Sequence, residues 1–185
     1  MARWTPFGEA AAAFRLALVL GPSKELVLKR STVLAWEDVR SSNLIFLGPA
    51  KFNRQIPELP IEQDFVITQG AVRNLRPQSG EKERYQKPSA PDVEEIPEDY
   101  AVITRMRGTT GWGEVLVLAS TSTEGTWAAA EYLTTPGAIE DMYRHIRVAG
   151  KTPDNYQVVI RSRFKSQVPL QTEYVTHHAL RVRER

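Results

Sequence analysis

The chain of 185 residues contains no cysteine. That absence removes disulfides, thiolate nucleophiles and cysteine-based zinc sites together, and it fits a reduced and an oxidising compartment equally. A surplus of either charge is missing too. The 24 Lys and Arg stand against 22 Asp and Glu, so no overall field draws the chain to nucleic acid or to an anionic membrane, and direct nucleic-acid binding is not expected. Long apolar runs are also lacking. The best candidate, AAAAFRLALVL at 10–20, is too short to span a bilayer, is broken by Arg15, and is followed by no small-x-small cleavage pattern. The expectation is a soluble, cytoplasmic chain. Neither GxxxxGK[ST] nor GxGxxG occurs, and GxSxG, HExxH and zinc-ligand spacings are absent, so no catalytic residue, metal or cofactor is assigned.

What remains is the composition of one ordinary domain, and residues 1–185 are read as a single α/β unit. PFGEAAAAFRLALVL (6–20) places Phe7, Ala10, Phe14, Ala17 and Leu18 at helical spacing, with Thr5 and Pro6 as cap and first position and Gly21-Pro22 as the stop. ELVLKRS (25–31) reads as a strand, LAWEDVR (34–40) as a short helix, and NLIFLG (43–48) as a strand covered on both faces. FVITQGAVRN (65–74) reads as a strand with an irregularity at Gly70. Residues 76–98 hold four prolines, many charges and few large aliphatics, the composition of a long mobile loop.

YAVITRM (100–106) and EVLVLAS (114–120) flank the turn-like RGTTGWG and should pair antiparallel. Helical patterns follow over 123–134 and, after Thr135-Pro136, up to Gly150. YQVVIRSRF (156–164) and TEYVTHHALRV (172–182) form a second strand pair around Pro169. Alternating helices and strands first, strand pairs later, imply a three-layer Rossmann-like α/β domain with a mixed sheet and helices on both faces. Ligands of such folds gather at the carboxyl ends of strands.

Three corners there are polar. In STSTEGT (120–126) the hydroxyls of Ser120, Thr121, Ser122, Thr123 and Thr126 precede or open a helix whose first N–H groups are unpaired, and Gly125 allows close approach. Thr121 and Glu124 have capping-box spacing, which would satisfy the same N–H groups internally. Glu124 favours a neutral polyol or amide over a phosphate. GPAKFNR (48–54) supplies Lys51, Asn53 and Arg54, although Asn in a loop is commonly a turn former. TPFGEA (5–10) supplies Thr5, Gly8 and Glu9.

His177 and His178, adjacent on a strand, point to opposite faces and cannot both bind one metal. His145 reads as a surface residue, and the tryptophans as packing residues, with Trp127 near enough to the third corner to line a pocket. The basic strip Arg161, Arg163, Lys165, Arg181, Arg183 and Arg185 reads as a solvated strand surface.

GTWAAAEYLT (125–134), DYAVITRM (99–106) and FNR (52–54) resemble an uncharacterised α/β domain of bacterial regulatory proteins, which lies C-terminal to a helix-turn-helix or membrane segment. In that family the first corner reads Thr-Gly-x-Gly-Glu-Ala and the third Gly-Thr-x-Ala-Ala-x-Glu. The chain keeps Thr5, Gly8, Glu9 and Ala10 of the one, with Pro6 replacing the first glycine, and Gly125, Thr126, Ala128, Ala129 and Glu131 of the other.

The resemblance implies a sensor or accessory domain, with a DNA-binding or membrane segment upstream in a longer protein. The expected function is a noncatalytic small-molecule-binding or regulatory domain. Its small polar ligand would be held by Thr5, Gly8, Glu9, Asn53, Ser122, Thr123, Glu124, Gly125 and Thr126. The alternatives are a hydrolase or transferase using Glu9 or Glu124 as base, and an interaction module, including a homodimer, built on the late arginine-bearing strands.

Overall fold

The computed structural model describes residues 6–87, 97–108 and 113–183. Thr5, most of the RGTTGWG turn and the centre of the 76–98 loop lie outside those residues. The described chain is a mixed α/β protein with a five-stranded sheet and a separate three-stranded sheet. Its helices are α1 (Phe7–Leu20), α2 (Trp36–Ser41), α3 (Thr123–Thr134) and α4 (Pro136–Ile146). Its strands are β1 (Leu44–Leu47), β2 (Phe65–Thr68), β3 (Ala71–Asn74), β4 (Arg84–Gln86), β5 (Glu98–Met106), β6 (Val115–Ser120), β7 (Asn155–Lys165) and β8 (Val168–Ala179).

The large sheet has the order β1-β6-β5-β7-β8. β1 and β6 are parallel, and every other pairing in it is antiparallel. β1 and β6 therefore end at the same edge, where β5 begins and β7 finishes. On one face, Ala12 and Leu16 of α1, Ala129, Ala130 and Tyr132 of α3, and Met142 and Ile146 of α4 pack on Ala101, Ile103, Leu118, Tyr156, Val158 and Ile160. The other face is covered by the small sheet and by the segment Ile56–Ile61, where helices were expected.

Polar side chains fasten the two sheets together. Gln157 of β7 is 1% exposed and fully bonded: its Oε1 accepts from the N–H groups of Asp64 and Phe65, both at 2.8 Å, and its Nε2 donates to Phe65 O and Thr104 Oγ1. The side chain thus acts as a strand edge for the start of β2. Phe65, fully buried here, contributes about 2–3 kcal/mol by leaving water.

Several sequence expectations are corrected. The 25–31 segment pairs with no described strand. β1 is an edge strand, with Ile45 37% exposed, not a strand covered on both faces; its continuous apolar run reflects one packed face and an outer rim. Residues 65–74 are two strands, because Gly70 (φ +71°) turns the chain into a hairpin. Residues 84–86 of the loop pair with β3. α4 stops at Ile146, short of Gly150. Pro169 lies within β8; the reversal before it is made by Ser166 and Gln167, both at positive φ.

The apolar stripe of α1 faces outward. The helix buries Gly8, Ala12 and Leu16, while Phe7 and Phe14 are 72% and 66% exposed. Small residues win the inner face because α1 lies close against α3: a Cβ on Gly8 would fall on the Thr123 carbonyl. We therefore expect Gly8→Ala to push the helices apart and to destabilise the protein by about 1–3 kcal/mol, the range for overpacking a tight contact, measured by denaturant unfolding. A neutral effect would show that the approach is not rigid.

Candidate functional site

The three corners do meet at one sheet edge. The Glu9 N–H donates to Thr123 Oγ1 at 3.2 Å, and that hydroxyl donates in a short hydrogen bond to the Glu9 carboxylate. Gly48, which ends β1 with φ +86°, faces the Glu9 carboxylate and the Asn53 amide; a Cβ there would lie 3.3 Å from Glu9 Oε1. The 48–54 loop, the start of α1 and the start of α3 thus share one locus around Gly8, Glu9, Gly48, Asn53 and Thr123.

Asn53 is 7% exposed, and its amide donates to the Leu47 and Gly48 carbonyls at 2.8 and 3.0 Å. This is the turn-forming role. Its N–H donors hold the loop closed and are spent there.

The hydroxyl run is organised by a residue that the sequence reading did not single out. Asp99, at the start of β5, is 1% exposed. Its carboxylate accepts from the Ser120, Thr121 and Ser122 hydroxyls at 2.8, 2.8 and 2.6 Å, from the Ser122 N–H at 3.1 Å and from the Tyr100 N–H at 2.8 Å. Five donors and the positive end of α3 make up for the loss of water around a buried charge. Ser122 is the N-cap and accepts from the Gly125 N–H at 3.1 Å. This corrects the capping box: Thr121 turns to Asp99 instead.

Gly125 is required here, because a Cβ would run into the Ser120 side chain and sit 3.1 Å from Asp99 Oδ2. The only sequence signal for Asp99 is an acidic residue at the start of a strand paired with the one that ends in the hydroxyl run.

Two members of the third corner are committed differently. Glu124 is buried, 9% exposed, in the first turn. Thr126 is fully buried, and its Oγ1 has no hydrogen-bond partner among the described residues. Three residues along α3 from Thr123, it lies on the same side of the helix. A bare buried hydroxyl costs about 1–3 kcal/mol, so it asks for an explanation. Trp127 packs edge-on against Phe7 at 5.8 Å.

A second polar cluster lies on the small-sheet side. His178 is 2% exposed; its Nδ1 is 2.7 Å from Asp64 Oδ2 and its Nε2 2.9 Å from Glu81 Oε2. Asp64 also pairs with Arg76, which reaches Glu62 at 2.5 Å. His177 stands on the opposite face, with its Nδ1 2.6 Å from the Tyr174 hydroxyl. Burial, and then the neighbouring His178, push the His177 ring down from its ordinary value. Among the described residues no group of three His, Asp or Glu is arranged to hold a metal ion. Both His178 nitrogens are committed to carboxylates, which makes the cluster a fastening between β8, the small sheet and the Glu81 loop. A shallow depression lined by Glu62, Gln63, Leu75, Arg76 and Arg183 adjoins it.

The basic strip is partly neutralised. Arg161 pairs closely with Glu173 and lies 3.8 Å from Glu98. Among the described residues no helix is long and apolar enough to cross a membrane. Comparison with protein-family models, curated proteins and solved structures finds no match.

Burial pushes the Glu81 carboxyl up, but hydrogen bonds from the Gln78 N–H, Thr176, His178 and Asn74 together outweigh it and hold it at about 2. Its free value is 4.5, so the stability it supplies is complete above that pH and is lost as pH falls toward 2. Melting curves across this range should show a steeper acid loss for the wild type than for Glu81→Gln, which should already be weaker at neutral pH. Parallel curves would contradict the assignment.

Proposed function

We propose that the protein is a noncatalytic small-molecule-binding or regulatory domain whose ligand sits at the carboxyl edge of the parallel β1–β6 pair. The observation that carries the reading is the meeting of Glu9, Gly48, Asn53 and Thr123, drawn from three segments far apart in the chain. Three further features support it. Gly48, at positive φ and without a side chain, lets the loop after β1 close against the Glu9 carboxylate. Glu124 places a second carboxylate at the start of α3, and the Thr126 hydroxyl behind Thr123 is unspent.

The carboxylates of Glu9 and Glu124 favour a ligand rich in N–H or O–H donors, a neutral polyol, amide or amine, and disfavour a phosphate. Placing the ligand there follows the logic of a Rossmann-like domain, in which crevices form beyond the strands' carboxyl ends. Of the residues that match the regulatory-protein domain, Gly8 and Glu9 belong to this locus, and Gly125 and Thr126 lie in the first turn of α3 next to Thr123. On this reading the domain reports a small molecule to a DNA-binding or membrane segment elsewhere in a longer protein.

A thermal-shift panel of polyols, amino sugars, amides and polyamines tests the proposal. A binder at a hundred times its dissociation constant adds about 2.7 kcal/mol. Glu9→Gln and Glu124→Gln should each weaken that binder about tenfold or more, the value of a charge-assisted hydrogen bond. No stabilisation by any compound, or a binder indifferent to both substitutions, would remove the reading.

A further inference from the structure

His178 has more acceptors against it than a neutral ring can serve. Its Nδ1 stands 2.7 Å from Asp64 Oδ2 and its Nε2 2.9 Å from Glu81 Oε2, and the side chain is buried. A neutral imidazole has one N–H and one lone pair, and an ionised carboxylate can only accept. Both contacts are hydrogen bonds only on the imidazolium. The two carboxylates are in their charged forms: Asp64 pairs with Arg76, and the donors around Glu81 hold its carboxyl at about 2. No other charge touches the ring. Phe65 of β2 lays its ring 4.5 Å away, and Gln157 stands opposite on β7 as a neutral amide. His177 projects from the other face of β8, and Glu62 lies behind Arg76.

The two carboxylates differ in how firmly they are held. Around Asp64, the N–H donates to Gln157 Oε1, the carbonyl accepts from the Leu75 N–H at 2.7 Å, and Oδ1 accepts from Arg76 Nε at 2.6 Å. Glu81 lies in the loop between β3 and β4 and is the side chain by which that loop reaches β8, through Thr176 and His178. Its other donors, the Asn74 amide and the Gln78 N–H, belong to β3 and to the loop itself. Of these four donors only His178 can carry charge.

We propose that His178 is a proton-operated latch, which fastens the β3–β4 loop (75–83) to β8 while both ring nitrogens are protonated and releases it when one proton leaves. Without the second proton, one ring nitrogen presents a lone pair to a carboxylate oxygen at 2.7 or 2.9 Å, in a site too buried for water to screen the repulsion. Asp64 keeps Arg76, so the Glu81 side yields. His178 acts with the opposite sign to Glu81. Protonating Glu81 loosens the loop in acid and deprotonating His178 loosens it in alkali, so the fastened state occupies the band between. Leu75 and Arg76, at the start of the loop, line the depression with Glu62, Gln63 and Arg183, and release reshapes that wall. The latch is separate from the ligand corners, and its test does not depend on them.

Heteronuclear NMR of isotope-labelled histidine reads the proton, and amide exchange, expressed as protection relative to the free peptide, reads the loop. At neutral pH both His178 ring nitrogens should be protonated. Between about pH 6 and about pH 10 one proton should leave, and protection at Gln78 and Glu81 should fall at least about tenfold over the same step, while the β5–β7 amides keep theirs. The nearby Tyr85 hydroxyl does not supply this step, because burial and then the Glu81 charge push it up from its ordinary value. Glu81→Gln should abolish the step, since a neutral amide can pair with the ring in either state. Thr176→Val should lower protection at every pH and keep the step, and His177→Gln should leave it in place. A single protonated ring nitrogen at neutral pH, or wild-type protection that is flat across the range, would overturn the proposal. So would a step that survives Glu81→Gln or vanishes with His177→Gln.

Discussion

A buried carboxylate holds together the sheet edge at which β6 ends and α3 begins. Asp99 is removed from water at the point where β5 begins, and a charge in that position persists only if donors surround it. The end of β6 and the first residue before α3 supply those donors. The consequences run outward from there. Ser122 is fixed as the cap, and Gly125 must lack a side chain because Ser120 and Asp99 occupy the space. The start of α3 is set by these contacts, which places Thr123 where Gly8 and Glu9 can reach it. α1, and with it Glu9, is in turn set against the loop after β1.

This hierarchy changes the meaning of the hydroxyl run. Read in isolation, five hydroxyls around a helix start look like a set of hooks for a ligand. In the folded chain Ser120, Thr121 and Ser122 are engaged in solvating Asp99 and capping α3, and Asn53 is engaged in closing its loop. What is left is acidic: the half-buried Glu9 and the buried Glu124, with the unspent Thr126 hydroxyl on the same helix as Glu124. The candidate site is the small residue of a corner that is mainly structural.

The sequence showed the local elements well. α1, α3, α4 and the two antiparallel pairs were legible because each is set by periodicity and end signals within a dozen residues. Elements decided by distant partners were not. β1 carries four apolar residues whether it is central or at an edge, and only the sheet order tells which. The stripe of Phe7, Phe14 and Leu18 has the right spacing for a core face, yet the close approach of Gly8 to Thr123 selects the alanine side instead. Asp99 and Asp64 find their partners 21 and 114 positions away, at Ser120 and His178, which no local pattern reveals. The corners' convergence was anticipated from fold logic, while their internal bonding was not.

The central claim is that the Asp99 charge orders the start of α3. Amide hydrogen exchange on Asp99→Asn compares most directly, since the side chain keeps its size while losing its charge. The account predicts that protection falls at Tyr100, Ser122 and Gly125, whose N–H groups point to Asp99 or to the cap it holds, while the β7–β8 amides keep theirs. Unchanged protection at those three amides would contradict it.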